Sequence, residues 1–233
     1  MFAVKTPNKM VMAVGGLGVV LGVLAFPRFT SSLTYIPVKA AIQQYTVDKQ
    51  IPAESLPRLI ALAKASIAAD DQVEYWEGLG LMYYLQYLHH QQQAPAEVDR
   101  MALNTALAAT ETVLIRTPIK PALWWQLALL RKLLNHPPQS VTKALELSIL
   151  TGRFDRGLMI ARLSLSLLYL HQFDAEGPPI LRDQLKLAWQ FEPDKLLALL
   201  KSDAYFMTAV QALLGSNETD LLHQLRVALD PSS

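Results

Sequence analysis

Cysteine is absent from the chain. That one absence removes disulfide frameworks, thiolate nucleophiles and cysteine-ligated zinc. Charge is scarce too. Asp, Glu, Lys and Arg make up 18% of the residues against 52% hydrophobic ones, which is apolar for a soluble protein. The cations never gather into a dense Lys/Arg cluster, so nucleic acid is set aside as a partner. No stretch sustains the polar/apolar alternation of a strand, and the phosphate loop, the dinucleotide fingerprint, GxSxG and HExxH are all missing. Of the five histidines, the adjacent His89 and His90 point to different sides of a helix, and no metal ligand set is read from the five together. The carboxylates are scattered over caps and outer faces, for example Glu54, Asp71, Asp155 and Asp194. No catalytic residue, cofactor or metal is therefore expected.

Long apolar runs are also rare, and the single one is informative. Lys5 and Lys9 precede MVMAVGGLGVVLGVLAF, Met10 to Phe26, and Pro27-Arg28 follow it. A run of about 17 residues is at the short limit for a membrane span. Three readings compete: a retained anchor, a signal peptide cleaved after Ala25, and a buried helix of a soluble domain. The anchor is preferred, because Phe26-Pro27 is an awkward start for a mature chain and the run's glycines are costly in a water-exposed helix. The two lysines of the short tail favour a cytoplasmic N-terminus and a periplasmic bulk, as for a single-pass protein of a bacterial inner membrane. Gly18 and Gly22 form a small-xxx-small pair that would let two such helices approach, giving a homo-oligomer. The bland alternative is that single spans often carry glycines with no partner.

Three segments are expected: a tail and anchor over 1–28, a juxtamembrane segment and linker over 29–54, and a helical domain over 55–233. In the second, Thr30 to Ser32 read as a polar break, Ile36 to Tyr45 as a short helix, and Val47 to Ala53 as a linker turn. Ser55 then caps a helix with Leu56, Leu59, Ile60, Ala63 and Ile67 on one face. In the next helix, Trp76-x-x-Leu79-Gly80-x-x-Tyr83 matches the first-helix pattern of a tetratricopeptide repeat. Trp124-x-x-Leu127-Ala128 repeats the Trp/Leu/small spacing, at an interval longer than the regular repeat of about 34 residues.

The centre of the chain, Pro121 to Leu163, predicts three helices in succession. The first places Leu123, Leu127, Leu130 and Leu134 at helical spacing, and the second places Val141, Ala144, Leu145, Ser148 and Ile149 on one face. Ser140 and Asp155 read as N-caps, and Gly152 as a left-handed residue closing the second helix. Further helices are expected at 180–191, 194–201, 205–214 and 220–229. The fold class is all-α, an N-terminal transmembrane helix followed by an irregular tetratricopeptide-like array of helical hairpins.

Two residues carry the candidate partner-binding site. Arg162 lies in the middle of a helix that is otherwise nearly all apolar, where a cation needs a counter-charge or must snorkel to water. It reads either as a structural ion pair with Glu146 or as a contact in a partner-binding groove. Trp124 shares the Leu127/Ala128 face, and Trp125, about 100° away, is expected on an exposed groove.

Around these residues the sequence resembles a known family. The elements are Pro121, Trp124 and Ala128, then Ala144, Leu145, Ser148, Ile149 and Gly152, then a helix with the central Arg162. Together with the anchor they resemble the VpsP-type proteins associated with polysaccharide biosynthesis clusters, over roughly Thr117 to Trp189. The resemblance implies a membrane-anchored accessory protein of exopolysaccharide assembly or export, with no catalytic residues to carry over. The expected function is that of a non-catalytic scaffold with protein partners in an envelope complex. Assembly of a pilus or secretion system is the first alternative and a glycan-acting enzyme the second.

Overall fold

The computed structural model describes Lys9–Asp48 and residues 50–90, 96–215 and 218–229, with backbone only for 9–19 and 96–98. Among the described residues all regular structure is helical, with no strand, as expected. The chain divides at Ala109/Thr110 into two compact units.

The first unit is built on α1, Lys9–Asp48, against α2, Leu56–Ala69, and α3, Val73–His90. The separate anchor, polar break and short helix expected over 10–45 are one continuous helix, and the expected 28/29 boundary falls inside it. Pro27 and Pro37 lie within α1, where each withholds one N–H from the helical ladder. The polar residues between them do not interrupt the helix because their hydroxyls bond its own carbonyls. Thr30 Oγ1 donates to the Phe26 and Pro27 carbonyls, Ser31 and Ser32 to that of Arg28, and Thr34 to that of Thr30. Continuing as a helix also lines up Ser31, Tyr35 and Val38, at i, i+4 and i+7, on one buried face.

Among the described residues, no helix is long and apolar enough to cross a membrane. The side chains of 10–19, which make up most of the apolar run, lie outside the described residues.

The apolar face expected for α2 is buried at Leu56, Leu59, Ile60 and Ala63, with Ile67 packed beside it. Ser55 stands at the N-terminus of α2 but makes no side-chain cap; its hydroxyl donates back to the Pro52 carbonyl at 2.7 Å. In α3, Leu79 and Gly80 are buried while Trp76 and Tyr83 are half-buried at the edge of the core. The tight approach to α1 is made elsewhere on α3. The Tyr35 and Tyr75 rings sit 4.5 Å apart, and Tyr35 donates its hydroxyl to the Glu74 carbonyl at 2.8 Å. A Cβ on Gly78 would stand 2.1 Å from that hydroxyl, so any larger residue there would have to displace the Tyr35 side chain. Burial pushes the Tyr35 hydroxyl's pKa upward, and the Glu74 and Glu77 charges push it further the same way.

α4, Ala96–Arg116, contains the division between the units. The second unit then runs through α5, Pro121–Leu133, α6, Pro138–Thr151, and α7, Arg156–Leu168. It continues with α8, Gly177–Phe191, α9, Pro193–Ser202, α10, Ala204–Leu214, and α11, Thr219–Leu229. These match the sequence expectations closely. All five residues read onto the inner face of α6 are buried, and so are Leu123, Leu127 and Leu130 of α5. Leu134 falls just past the end of α5 and is half-buried. The core joins Ile149 of α6, Met159, Leu163 and Leu167 of α7, and Leu181 and Leu185 of α8, each a side chain whose burial contributes about 2 kcal/mol.

The helix ends differ from expectation. Ser140 lies inside α6 and its hydroxyl donates to the Pro137 carbonyl, and Asp155 precedes α7 without a side-chain cap. Gly152 has φ −152°, not a left-handed value; the left-handed residue of this region is Asn135, φ 56°, after α5. A side-chain cap forms at Asp203, which accepts from the Tyr205 N–H at the start of α10.

Candidate functional site

Arg162 is fully buried, and its partners are not acidic. Its Nε donates to Ser148 Oγ at 2.9 Å and its Nη1 to the Gly152 carbonyl at 2.8 Å. Ser148 in turn donates to the Pro121 carbonyl at 2.7 Å. One side chain on α7 thereby joins the first residue of α5 to the last turn of α6. Gly152 completes the junction. A Cβ there would stand 2.6 Å from two ring atoms of Pro121 and 3.3 Å from Arg162 Nη2. So Gly152 is required for close approach and not for a left-handed turn.

The expected ion pair with Glu146 is not formed. Glu146 is buried, but its carboxylate accepts from Lys143 Nζ at 3.0 Å, one turn back on its own helix. Helical geometry explains the exchange. Ser148 and Gly152, four residues apart, share the face toward α7, whereas Glu146 sits about 200° from Ser148. Burial lowers the pKa of the Arg162 guanidinium, and the Asp155 charge offsets part of that shift. Its Nη2 is buried and has no hydrogen-bond partner among the described residues. The same holds for Gln184 Oε1 of α8, whose Nε2 donates to the Arg153 carbonyl at 3.5 Å. Arg162 and Gln184 thus reach for successive carbonyls at the end of α6. A side chain with no exposed surface cannot contact a partner directly, so the groove-contact reading of Arg162 does not hold; the residue is a junction between helices.

Trp125 is half-buried, not exposed as expected, and its indole Nε1 is buried without a hydrogen-bond partner among the described residues. Trp124 takes the better-satisfied position, donating to the Pro118 carbonyl at 2.7 Å. Of the anchor pair, Gly18 lies outside the described side chains. Gly22 is exposed, and a Cβ added to it would meet nothing within 4 Å.

A shallow groove lies at the end of α6, and sequence reasoning did not single it out. Ile149, Leu150, Pro179 and Ile180 line a groove of about 310 Å³, with Arg153 and Asp183 at its rim. Arg153 Nε donates to Asp183 Oδ2 at 2.7 Å and its Nη2 to Oδ1 at 2.5 Å. That hydrogen bond, with the Asp183 charge, raises the Arg153 pKa. Leu150 and Phe154 are more than 60% exposed beside it. The signal was present as two large apolar residues flanking Gly152 and Arg153, but which of them face outward depends on where α8 packs. The groove offers an apolar floor and a neutralised charged rim, which suits holding an apolar side chain. Among the described residues no cluster of His, Asp and Glu could hold a metal ion. Set against models of protein families, curated proteins and solved structures, the chain matches none.

Proposed function

We propose that this chain is a non-catalytic, membrane-anchored scaffold whose body sits on the periplasmic side of a bacterial inner membrane and serves envelope polysaccharide assembly or export. The observation that carries the anchored-scaffold reading is the division of labour along α1. Val20, Leu21, Val23, Leu24 and Phe26 are all exposed, at 54–70%, on the same helix whose later residues Tyr35 and Val38 are core. Apolar residues exposed on every side of a helix are costly in water and favourable in lipid. Their continuity with the core positions Tyr35 and Val38 would fix the first unit directly to the membrane, with no flexible linker between. The α6–α8 groove supports the scaffold part of the reading, as a place to hold a partner's apolar side chain. The polysaccharide pathway rests on the resemblance of the Pro121, Ser148, Gly152 and Arg162 elements, which meet in one junction.

The test is cell-bound and secreted polysaccharide in a deletion strain, complemented with the full chain or with residues 28–233 exported to the periplasm. Loss of polymer restored by the anchored form alone is the expected result. Restoration by the exported form would remove the anchor from the function. Unchanged polymer in the deletion strain would overturn the polysaccharide role and turn attention to pilus or secretion assembly.

A further inference from the structure

From Gly22, inside the apolar run, to Val47, α1 keeps a narrower stripe open. Phe26, Leu33, Ala40 and Val47 recur every seven residues, and Gly22, Phe29, Ile36 and Gln43 recur at the same interval between them. These are the alternating three- and four-residue steps of a two-stranded coiled coil, with the first set at a and the second at d. Every one of the eight is exposed, Phe26 and Phe29 at 65% and 62% and Val47 at 80%. The opposite face is used from Ser31 onward: Ser31 and Val38, both at f in this register, are buried, and Val38 belongs to the core of the first unit. We propose that α1 is a dimerisation helix, its a/d stripe pairing with the same stripe of a second copy as a parallel two-stranded coiled coil.

The flanks favour a second copy over a charged partner or an anionic lipid surface. The e positions are Val23, Thr30, Pro37 and Gln44, and the g positions are Ala25, Ser32, Lys39 and Thr46. Lys39 is the one charge among them, and it is engaged at 3.1 Å with Glu74 of its own chain. Two copies in register therefore meet with no like-charge opposition. A lipid headgroup or an acidic protein would find no free cation along these flanks. Both prolines stay off the seam, Pro27 at b and Pro37 at e. The stripe exposes on the order of 500 Å² of apolar side chain per copy, so two copies would bury on the order of 1,000 Å², the size at which a specific interface begins. The parallel sense rests on the membrane reading, since two anchored copies enter from the same side.

The absence of cysteine makes the test direct. Single substitutions Phe29→Cys, Leu33→Cys, Ile36→Cys and Ala40→Cys are made in the full chain and oxidised in native membranes, with Arg28→Cys and Asp48→Cys as exposed controls off the stripe. Cross-linked homodimer about five-fold above the controls at all four stripe positions is expected, because a and d residues of a parallel pair face their own copies. A flat profile, a maximum at a single position as in antiparallel pairing, or cross-links only to a chain of different mass would each overturn the proposal. Alkaline carbonate extraction of the same membranes keeps the two readings apart. Extractable protein with the periodic profile would remove the anchor and leave the pairing; retained protein with a flat profile would do the reverse.

Discussion

The two units bring helices together by the same device, filled differently. In the first unit Gly78 of α3 makes room for the Tyr35 ring of α1, whose hydroxyl finds the Glu74 carbonyl. In the second unit Gly152 makes room for the Pro121 ring, and a complete guanidinium finds a hydroxyl and a carbonyl. In both, a missing Cβ admits a ring and a backbone carbonyl satisfies the buried donor. The difference is in what is left over. A phenol with one donor is fully satisfied by one carbonyl, whereas Arg162 buries a formal charge with no carboxylate bonded to it and leaves Nη2 without a partner. The first junction is neutral and complete; the second is charged and stays stable only while every neighbour holds its place.

The comparison breaks most severely at Arg162. Arg162→Ala is expected to cost about 4 kcal/mol, from the cavity and from the donor withdrawn from Gly152. Arg162→Leu refills most of the volume and discards the uncompensated charge, so it is expected to cost about half as much. Urea unfolding followed by tryptophan fluorescence checks this, since Trp124, Trp125 and Trp189 all lie in the second unit. A larger loss for Leu than for Ala would mean that the charge itself stabilises the junction.

The two glycines give a more even contrast. Gly152→Ala and Gly78→Ala are each expected to cost about 2 kcal/mol through overpacking. They should respond differently to a second change. Tyr35→Phe removes the hydroxyl that Gly78→Ala would meet, so the pair should couple favourably by about 1 kcal/mol, while Gly152→Ala combined with Tyr35→Phe should be additive. Thermal unfolding of the singles and doubles decides it, and additivity in both would show that the Tyr35 ring, not its hydroxyl, sets the clash.

The smallest effect is in pH. The folded Tyr35 pKa is raised, so its contribution is fully present below the unfolded value near 10 and is lost as pH rises beyond that toward the folded value. Tyr84 of the same unit, raised chiefly by burial, adds in the same direction. Hydrogen exchange above pH 10 should open the first unit's helices before those of the second, and Tyr35→Phe should flatten that pH dependence. Simultaneous opening would place the alkaline weakness elsewhere.

What the sequence determined by itself is the set of helices and most of their inward faces. Ala144, Leu145, Ser148 and Ile149 are written at a spacing that has meaning only on a helix, and apolar residues at that spacing must be covered whatever covers them. Prolines stand in the first turns of α5, α6 and α8, where a missing N–H does no harm, though α8 was expected to start only at 180, past its prolines. The tertiary structure alone decided which polar atoms meet. Arg162 could be recognised as a cation needing partners. Whether those were Glu146 or the carbonyls at the end of α6 turned on the rotation of α6 against α7, which no local pattern encodes. The continuity of α1 was hidden for a related reason. Two prolines and a run of hydroxyl residues read locally as a break, and only packing against α2 and α3, with those hydroxyls turned onto their own helix, made one helix the lower-energy course.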